Sequence, residues 1–458
     1  VVERLSPLDA SFLFMEDVTT HMHVGGLMTF EPGTDVDLQG FVRLIGERLA
    51  AVPRYRQKVR EVPARLGLPV WVDDPDFDLE YHVRRSALPA PGTDAQLREL
   101  VGRLQGRPLD RDRPLWEIYL VEGLEDGGFA IITKTHHAMV DGLSSIDIGA
   151  VLLDLTPEPR PSEPDGWAPA SEPSSVSLAV GAVLDQLRRP QHALGTARRA
   201  VADVQTAAGA VAQTAGAVLA AVSTTKVART HPLNAAIGRQ RRYGTSAGAL
   251  DDYKAVRKAH GGTVNDVVLT VVAGGLRRWL ATRGEDVRPG GGVRAMVPVS
   301  VRPPGAQLGN QISALFVDLP VGEADPVARL ERITAAMLAH KRSGQAVAAG
   351  ALVGLVGLTP PTLHSLGARL SNSMSARVFN VIVTNVPGPQ FPLYAMGARM
   401  RDMYPVVPLA KGQTVSIGIT SYDGGVFYGL NADRDAMPDV DVLAASMGES
   451  LEELKETL

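Results

Sequence analysis

Two adjacent histidines carry the clearest chemical signal in this 458-residue chain. In Thr135-His136-His137-Ala138-Met139-Val140-Asp141-Gly142 they stand five and four residues before an aspartate, and a glycine able to turn the chain closes the run. Imidazole is the side chain whose ordinary pKa allows proton transfer near neutral pH. A general base needs one positioned imidazole and an acid to orient it, and this spacing supplies both. A metal site would need both rings on one face with a carboxylate. Neighbours along a strand point to opposite faces, so that reading requires the strand to end between the histidines. The third reading is a pair of partly buried histidines without chemical function.

The flanking sequence defines what must hold these residues. Phe129 to Thr135 is strand-like and feeds into the histidines, whereas Ser144 to Leu155 is helix-like and leads away. Gly142 permits a tight return between them, Ser144 can cap the helix, and Asp141 is placed to brace the loop. Upstream, Val24–Phe30 and Trp116–Val121 read as strands. Phe41, Leu44, Ile45, Leu49 and Val52 share a helical face between Leu38 and Val52. Thr93-Asp94-Ala95-Gln96 has the form of a capping box. His21 and His23, just before the strand, read as surface or packing histidines.

Further polar candidates lie in the last third. Asn265 falls in the first turn of a helix that Thr263 can cap and that runs from Val264 to Leu280, stopping near Gly284. An amide there could donate to a substrate oxygen or a developing oxyanion, or could serve as a cap or core amide. Asp266, three residues after Thr263, reads as structural. Thr384 and Asn385 end the apolar run Asn380–Val386 before Pro387-Gly388-Pro389, where they could line a cleft or stabilise the turn. Val293–Val301, Ile312–Leu319 and Phe379–Thr384 read as strands, Thr414–Ser421 and Val426–Asn431 as a hairpin, and Val442–Leu454 as a closing helix.

A chain of this length is expected to hold two or three domains at one per ~150 residues. Three blocks emerge: 1–155, a Pro-rich linker with an Ala/Val-rich helical connector at 156–230, and 231–458. Residues 157–173 hold six prolines. The stretch 176–222 reads as one or two helices, packed between domains or lying on a membrane surface, and its charge-free run Val204–Thr225 is too weakly apolar to favour a span. With 45% hydrophobic residues a large core can be buried, and a net charge of -4 leaves no basic footprint for nucleic acid. The chain has no cysteine, which removes thiol catalysis and thiolate metal sites and fits an intracellular protein. Early acids and the lack of a basic-then-apolar leader argue against a secretory signal. Serine-hydrolase elbow, P-loop, dinucleotide and His-Glu-x-x-His motifs are missing from the sequence.

His136-His137-Ala138-Met139-Val140-Asp141-Gly142 resembles the HHxxxDG motif of coenzyme A-dependent acyltransferases related to chloramphenicol acetyltransferase. Pro7-Leu8-Asp9, Pro114-Leu115-Trp116, Asn265-Asp266-Val267-Val268-Leu269 and Asn385-Val386-Pro387-Gly388-Pro389 narrow the likeness to bacterial wax ester synthase/diacylglycerol acyltransferases. These matches run in family order over nearly the whole chain. The Asp-Phe-Gly-Trp-Gly motif of the plant enzymes is missing. The resemblance implies an α/β, two-domain chloramphenicol acetyltransferase-like fold, with mixed sheets, flanking helices and an active-site tunnel between the domains.

It also implies that His137 is the base, that Asp141 and Gly142 are structural, and that His136, Asn385 and Pro114-Leu115-Trp116 shape the site. Asn265 becomes the candidate oxyanion or acceptor contact and Thr384 a weaker one. The implied reaction moves a long-chain acyl group from acyl-CoA to diacylglycerol, a long-chain alcohol or both. It has no cofactor beyond the acyl-CoA co-substrate and takes place in the cytoplasm against the inner membrane or a lipid droplet. Two alternatives stay open: an acyl-CoA- or lipid-binding protein of the same fold without turnover, and a condensation-type enzyme using carrier-bound acyl groups. With no metal expected in the site, a chelator should leave acceptor-dependent CoA release from palmitoyl-CoA unchanged; loss of activity that added metal restores would favour the metal reading.

Overall fold

Runs of valine, isoleucine and aromatic residues fit a pleated, buried surface, and here they build two six-stranded sheets. The structure, a computed structural model, describes residues 3–32, 37–140, 149, 151–161, 166–188, 232–300, 312–343 and 378–458. The chain opens with β1 (Glu3–Arg4) and α1 (Pro7–Met15); Ser6 caps this helix by accepting the Asp9 N–H, and Pro7 occupies its first position. Then come β2 (His23–Phe30), α2 (Leu38–Arg48), β3 (Gln57–Arg60), β4 (Val70–Asp73), the single turn α3 (Leu79–His82) and β5 (Val83–Ala87). Helix α4 (Asp94–Gln105), β6 (Trp116–Glu122) and β7 (Phe129–His136) complete the first block. The expected box at Thr93 and Gln96 caps α4. The stripe read from Leu38 to Val52 is split: Phe41, Ile45, Leu49 and Val52 are buried, but α2 tightens into a 3-10 turn at Leu49–Ala51, ahead of Pro53.

Past the proline-rich connector, α5 (Ser175–Arg188) lays Leu178 and Ala182 on Val70 and Val72 of the small sheet β1-β4-β3 and on Val62 just beyond β3. Most of the expected helix from Ser144 to Leu155, and the run Val204–Thr225, lie outside the described residues; Val151 and Leu152 are helical. The last block contains β8 (Arg241–Ala249), α6 (Leu250–His260), α7 (Val264–Thr282), β9 (Val293–Ser300), β10 (Ile312–Leu319) and α8 (Pro326–Ser343). It ends with β11 (Val381–Pro387), β12 (Tyr394–Ala395), β13 (Ala398–Val406), β14 (Val415–Tyr422), β15 (Gly425–Asp433) and α9 (Val440–Lys455). The expected hairpin is β14–β15, and its two-residue turn puts Asp423 and Gly424 at φ 41° and 84°, the left-handed geometry that matches strand twist. Helix α7 is buried from Asp266 to Leu276, a stretch whose polar side chains are Asp266 and Thr270, and packs against α8 and α9.

The sheets are mixed, as the fold class requires. One runs β12-β13-β2-β7-β6-β5, and its β5–β6 pair is parallel; the other runs β10-β9-β11-β14-β15-β8, where β11 is parallel to both neighbours. The first sheet is not built from the first block alone. Strands β12 and β13 come from the last block, and β13 pairs antiparallel with β2 from Met400↔Phe30 to Val406↔Gly25. Strand β13 also lies against the second sheet: Tyr243 donates from its hydroxyl to the Pro405 carbonyl at 2.9 Å, and a Cβ at Gly429 would stand 2.0 Å from that oxygen. Asp154 fastens the chain beyond the histidine motif. It exchanges backbone hydrogen bonds with Tyr394, and its carboxylate takes a two-pronged contact at 2.8 Å from the buried Arg48 guanidinium.

Helix α4 meets β8 at Gly102, where a Cβ would fall 2.7 Å from the Arg241 carbonyl oxygen. Gly102→Ala is expected to cost about 1–3 kcal/mol, the usual penalty for overpacking. The denaturant midpoint of the full chain measures it, and an unchanged midpoint would mean that this close approach does not hold α4 to the second sheet.

Candidate active site

The histidine pair sits where β7 leaves its ladder. β7 is the central strand between β2 and β6, with His136 opposite His23 and Thr135 opposite Trp116. The His136 N–H still bonds across to the Leu115 carbonyl at 2.9 Å, whereas the His137 N–H turns to the Met22 carbonyl at 2.7 Å. His137–Met139 then form one 3-10 turn, with His136 as its cap: Nδ1 of His136 accepts the Ala138 N–H at 3.0 Å. The strand therefore ends between the two histidines, the one arrangement under which strand alternation left a metal site open. Even so, among the described residues no group of His, Cys, Asp or Glu is placed to hold a metal ion.

Helix α1 covers both rings. Phe12 stacks on His137 with centroids 3.9 Å apart and planes 23° apart. At the end of the same helix, Glu16 points a carboxylate oxygen at Nε2 of His136, 3.7 Å away, and the other at Nε2 of His23, 3.4 Å away. Arg111 donates to Glu16 through Nε at 3.1 Å and Nη2 at 2.5 Å, and to the Leu13 carbonyl at 2.9 Å. His21 stacks on His23, so four imidazoles and one carboxylate lie together under α1. Both His21 and His23 are buried, so the packing half of that expectation holds and the surface half does not. A cavity of about 310 Å³ reaches Arg111 and the neighbouring Leu13 and Leu115, with Phe14, Val59 and Pro69 among its other walls; no histidine of the cluster lines it.

Burial sets the charge state. It disfavours the imidazolium and pushes His23 down to about 4 and His136 down to about 3; the Glu16 carboxylate opposes this but does not outweigh it. Burial also lowers His137, whose own backbone carbonyl is the polar group acting on the ring. Its Nδ1 is enclosed without a regular hydrogen bond among the described residues, while the residue as a whole, backbone included, remains partly exposed. Burial alone would raise Glu16, yet His23, His136 and Arg111 together hold it below the ordinary carboxylate range. Since the imidazoles are neutral, the charge that stabilises this anion is that of Arg111, and the Nε2 atoms of His23 and His136 lie close to it without a regular hydrogen bond.

Pro114-Leu115-Trp116 supports the strand end. Leu115 accepts the His136 N–H, while the buried Trp116 donates from its indole to the Tyr55 carbonyl at 2.7 Å and stacks on His82. His82 holds the Trp116 carbonyl through Nδ1 at 2.8 Å, and burial pushes it down to about 4. The last-block candidates form a separate pair. Asn385, on β11, donates its amide to Oδ1 of Asn265 at 3.1 Å, in the first turn of α7. Asp266 completes the capping box with Thr263, as expected of a structural residue. Thr384 is partly buried, opposite Gly418 on β14. The described contacts join Asn265 to Asn385 and both histidines to α1, and none links the two groups. Asp141 and Gly142 lie outside the described residues. Sequence reading passed over Phe12, Glu16 and Arg111; the one available signal was His21-x-His23, whose alternation puts two rings on one face of a strand.

The wax ester synthase/diacylglycerol acyltransferase catalytic domain matches residues 5–268, and the C-terminal domain of that family matches residues 308–455. The chain belongs to this family. It is 34% identical over 99% of its length to the probable diacylglycerol O-acyltransferase tgs1 of Mycobacterium tuberculosis, 96% of which is covered. It is likewise 34% identical to the probable diacylglycerol O-acyltransferase tgs2 of that organism, with both chains covered in full. The wax ester synthase/diacylglycerol acyltransferase from Marinobacter aquaeolei VT8 superposes with a TM-score of 0.71 at 28% identity, covering 99% of each chain. A starter condensation domain of rhizomide synthetase shares the fold at 13% identity, with a TM-score of 0.57 over 99% of this chain and 94% of that one. The two-domain α/β acyltransferase architecture expected from the motifs is thus the one the chain adopts, and the chain is an acyltransferase of this family.

Three buried neutral histidines make the fold acid-sensitive. In the unfolded chain they take protons near 6.5, but in the fold only near 4 for His23 and His82 and near 3 for His136. Between these values the unfolded state binds more protons, so stability present above pH 6.5 is lost as pH falls. Glu16 adds its own loss only below its ordinary 4.5. Melting temperature recorded against pH should fall through this window, and a flat profile would contradict the neutral assignment.

Proposed function

We propose that this acyltransferase moves a long-chain acyl group from acyl-CoA to a lipid hydroxyl, diacylglycerol or a long-chain alcohol, with His137 as general base. The observation that carries the proposal is the placement of His137: an uncharged imidazole on a 3-10 turn at the end of a central strand, held by Phe12. His137 takes the proton of the acceptor hydroxyl as its oxygen attacks the thioester carbonyl. The tetrahedral oxyanion collapses, the C–S bond breaks, and the departing thiolate recovers the proton from the imidazolium. No acyl-enzyme and no cofactor enter this scheme.

Asn265 is the proposed oxyanion or acceptor contact, held in orientation by Asn385, with Thr384 a second candidate. Asp141 and Gly142 are assigned to holding the loop. The names of the mycobacterial relatives favour diacylglycerol, and that of the Marinobacter protein adds alcohols. A hydrophobic site separates acceptors weakly, since one methylene is worth only about 1–3 kcal/mol.

No helix among the described residues is long and apolar enough to cross a membrane. The proposed contact with the inner membrane or a lipid droplet falls instead to α5, whose Val176, Val180 and Leu184 recur every fourth residue on an exposed face opposite the buried Leu178 and Ala182.

CoA release from palmitoyl-CoA should require an added hydroxyl acceptor, tested across diacylglycerol, hexadecanol and short alcohols. His137→Ala should lower the rate ~10²–10⁴-fold, the usual worth of a general base. Because burial lowers the His137 pKa, the acid limb of kcat/KM should lie below 6.5. Full turnover by the variant would sink the assignment. Binding of acyl-CoA without release would favour a non-catalytic lipid carrier, and turnover only with carrier-bound acyl groups a condensation-type enzyme.

A further inference from the structure

Glu16 has no part in the proton transfer just described, and an acid placed in so enclosed a position needs a reason. It lies at the C-terminal cap of α1, largely enclosed among His23, His136 and the guanidinium of Arg111. The Ala138 N–H can donate only to an unprotonated nitrogen, so Nδ1 of His136 carries no proton and the ring's single proton resides on Nε2. That nitrogen faces the Glu16 carboxylate at 3.7 Å, longer than a regular hydrogen bond but close enough for the anion to favour a proton-bearing nitrogen on that side. On the other side, the same ring caps the turn that begins at His137.

We propose that Glu16 is a positioning residue for the acyl-transfer base. Clamped by Arg111, it fixes the tautomer and orientation of His136, and His136 through the Ala138 N–H fixes the 3-10 turn that presents His137. The inference rests on His137 being the base. The order of contacts is Arg111, Glu16, His136, Ala138 N–H and then His137, and each neighbouring pair is in contact or bonded. A second hold on the same turn comes from α1 itself, because Phe12, one helical turn before Glu16, lies on the His137 ring. One helix thus grips both histidines, with an anion on the structural one and an apolar face on the chemical one. His23 is the second ring beside the carboxylate, with its Nε2 3.4 Å from the other oxygen. Partners of this kind, which set the tautomer of a working histidine from behind, are typically worth about 10–100-fold in activity at metal sites, and the geometric argument is the same here.

The test uses the full chain with ¹⁵N-labelled histidine, together with steady-state thiol release from palmitoyl-CoA. Glu16→Met keeps the volume but removes the carboxylate; Glu16→Gln restores a polar carbonyl without the charge. Wild type should show His136 as the Nε2-protonated tautomer, identified by loss of its signals in His136→Asn. Glu16→Met should mix or broaden those signals and lower kcat about 10–100-fold with KM for palmitoyl-CoA little changed, and Glu16→Gln should recover most of both. An unaltered tautomer with unaltered kcat in Glu16→Met overturns the proposal, as does an effect on KM alone. Should Glu16→Met fail to fold, Arg111→Met frees the carboxylate from its half-exposed clamp. It should shift both readouts in the same direction, and no shift in either overturns the proposal. An inactive wild type would defeat the acyl-transfer reading, while the His136 signals still decide the positioning role.

Discussion

The last residue of β7 is the constraint on which the rest of the site depends. A central strand gives its N–H and C=O groups to two neighbours, and here the neighbours stop serving it at different places. Leu115 on one side still accepts the His136 N–H, while on the other side Met22 takes the N–H of His137. The backbone then has to turn, and a side chain takes over as acceptor when the His136 ring receives the Ala138 N–H. His137 is thereby delivered to the end of a rigid element, the position from which a side chain can be held accurately and still reach a substrate.

Enclosing that strand end in apolar surroundings has an electrostatic result. Desolvation penalises imidazolium, so the rings of His23, His136 and His137 are uncharged in the fold. Glu16 stays ionised in the same enclosure because Arg111 reaches it from a half-exposed position. One largely buried anion is thus paired directly with one cation, and the neutral rings of His23 and His136 lie beside the pair. That division suits a centre in which one imidazole is to gain and lose a proton while its neighbour holds still.

The two sheets are bound together by the strand they share. β13 comes from the last block, yet completes the sheet of the first by pairing with β2, the strand that carries His23. Its Pro405 carbonyl faces the second sheet, where Gly429 leaves room and Tyr243 donates to it. Gly102 lets α4 approach β8 just as closely. Both contacts depend on the lack of a side chain, which makes them close, rigid and sensitive to any added methyl group.

Much of this was legible in the sequence, because much of it is local. Alternation marked β2, β6 and β7, the Thr93 and Thr263 boxes marked two helix starts, and Tyr422-Asp423-Gly424-Gly425 marked the hairpin. The ordered motifs at 7–9, 114–116, 136–142, 265–269 and 385–389 pointed to the family. Local periodicity could not show that β7 stops between the two histidines, because that depends on which neighbouring carbonyls remain in reach. Nor could it bring Glu16, Arg111 and His136 together: Arg111 is 95 residues from Glu16, and no local pattern marks an acid at a helix end as the partner of a distant ring. The sequence alone determined which residues could do chemistry and which elements would carry them. The tertiary structure decided which imidazole is fixed and which is presented, because tautomer, burial and the choice of acceptor are set by groups that only folding makes neighbours.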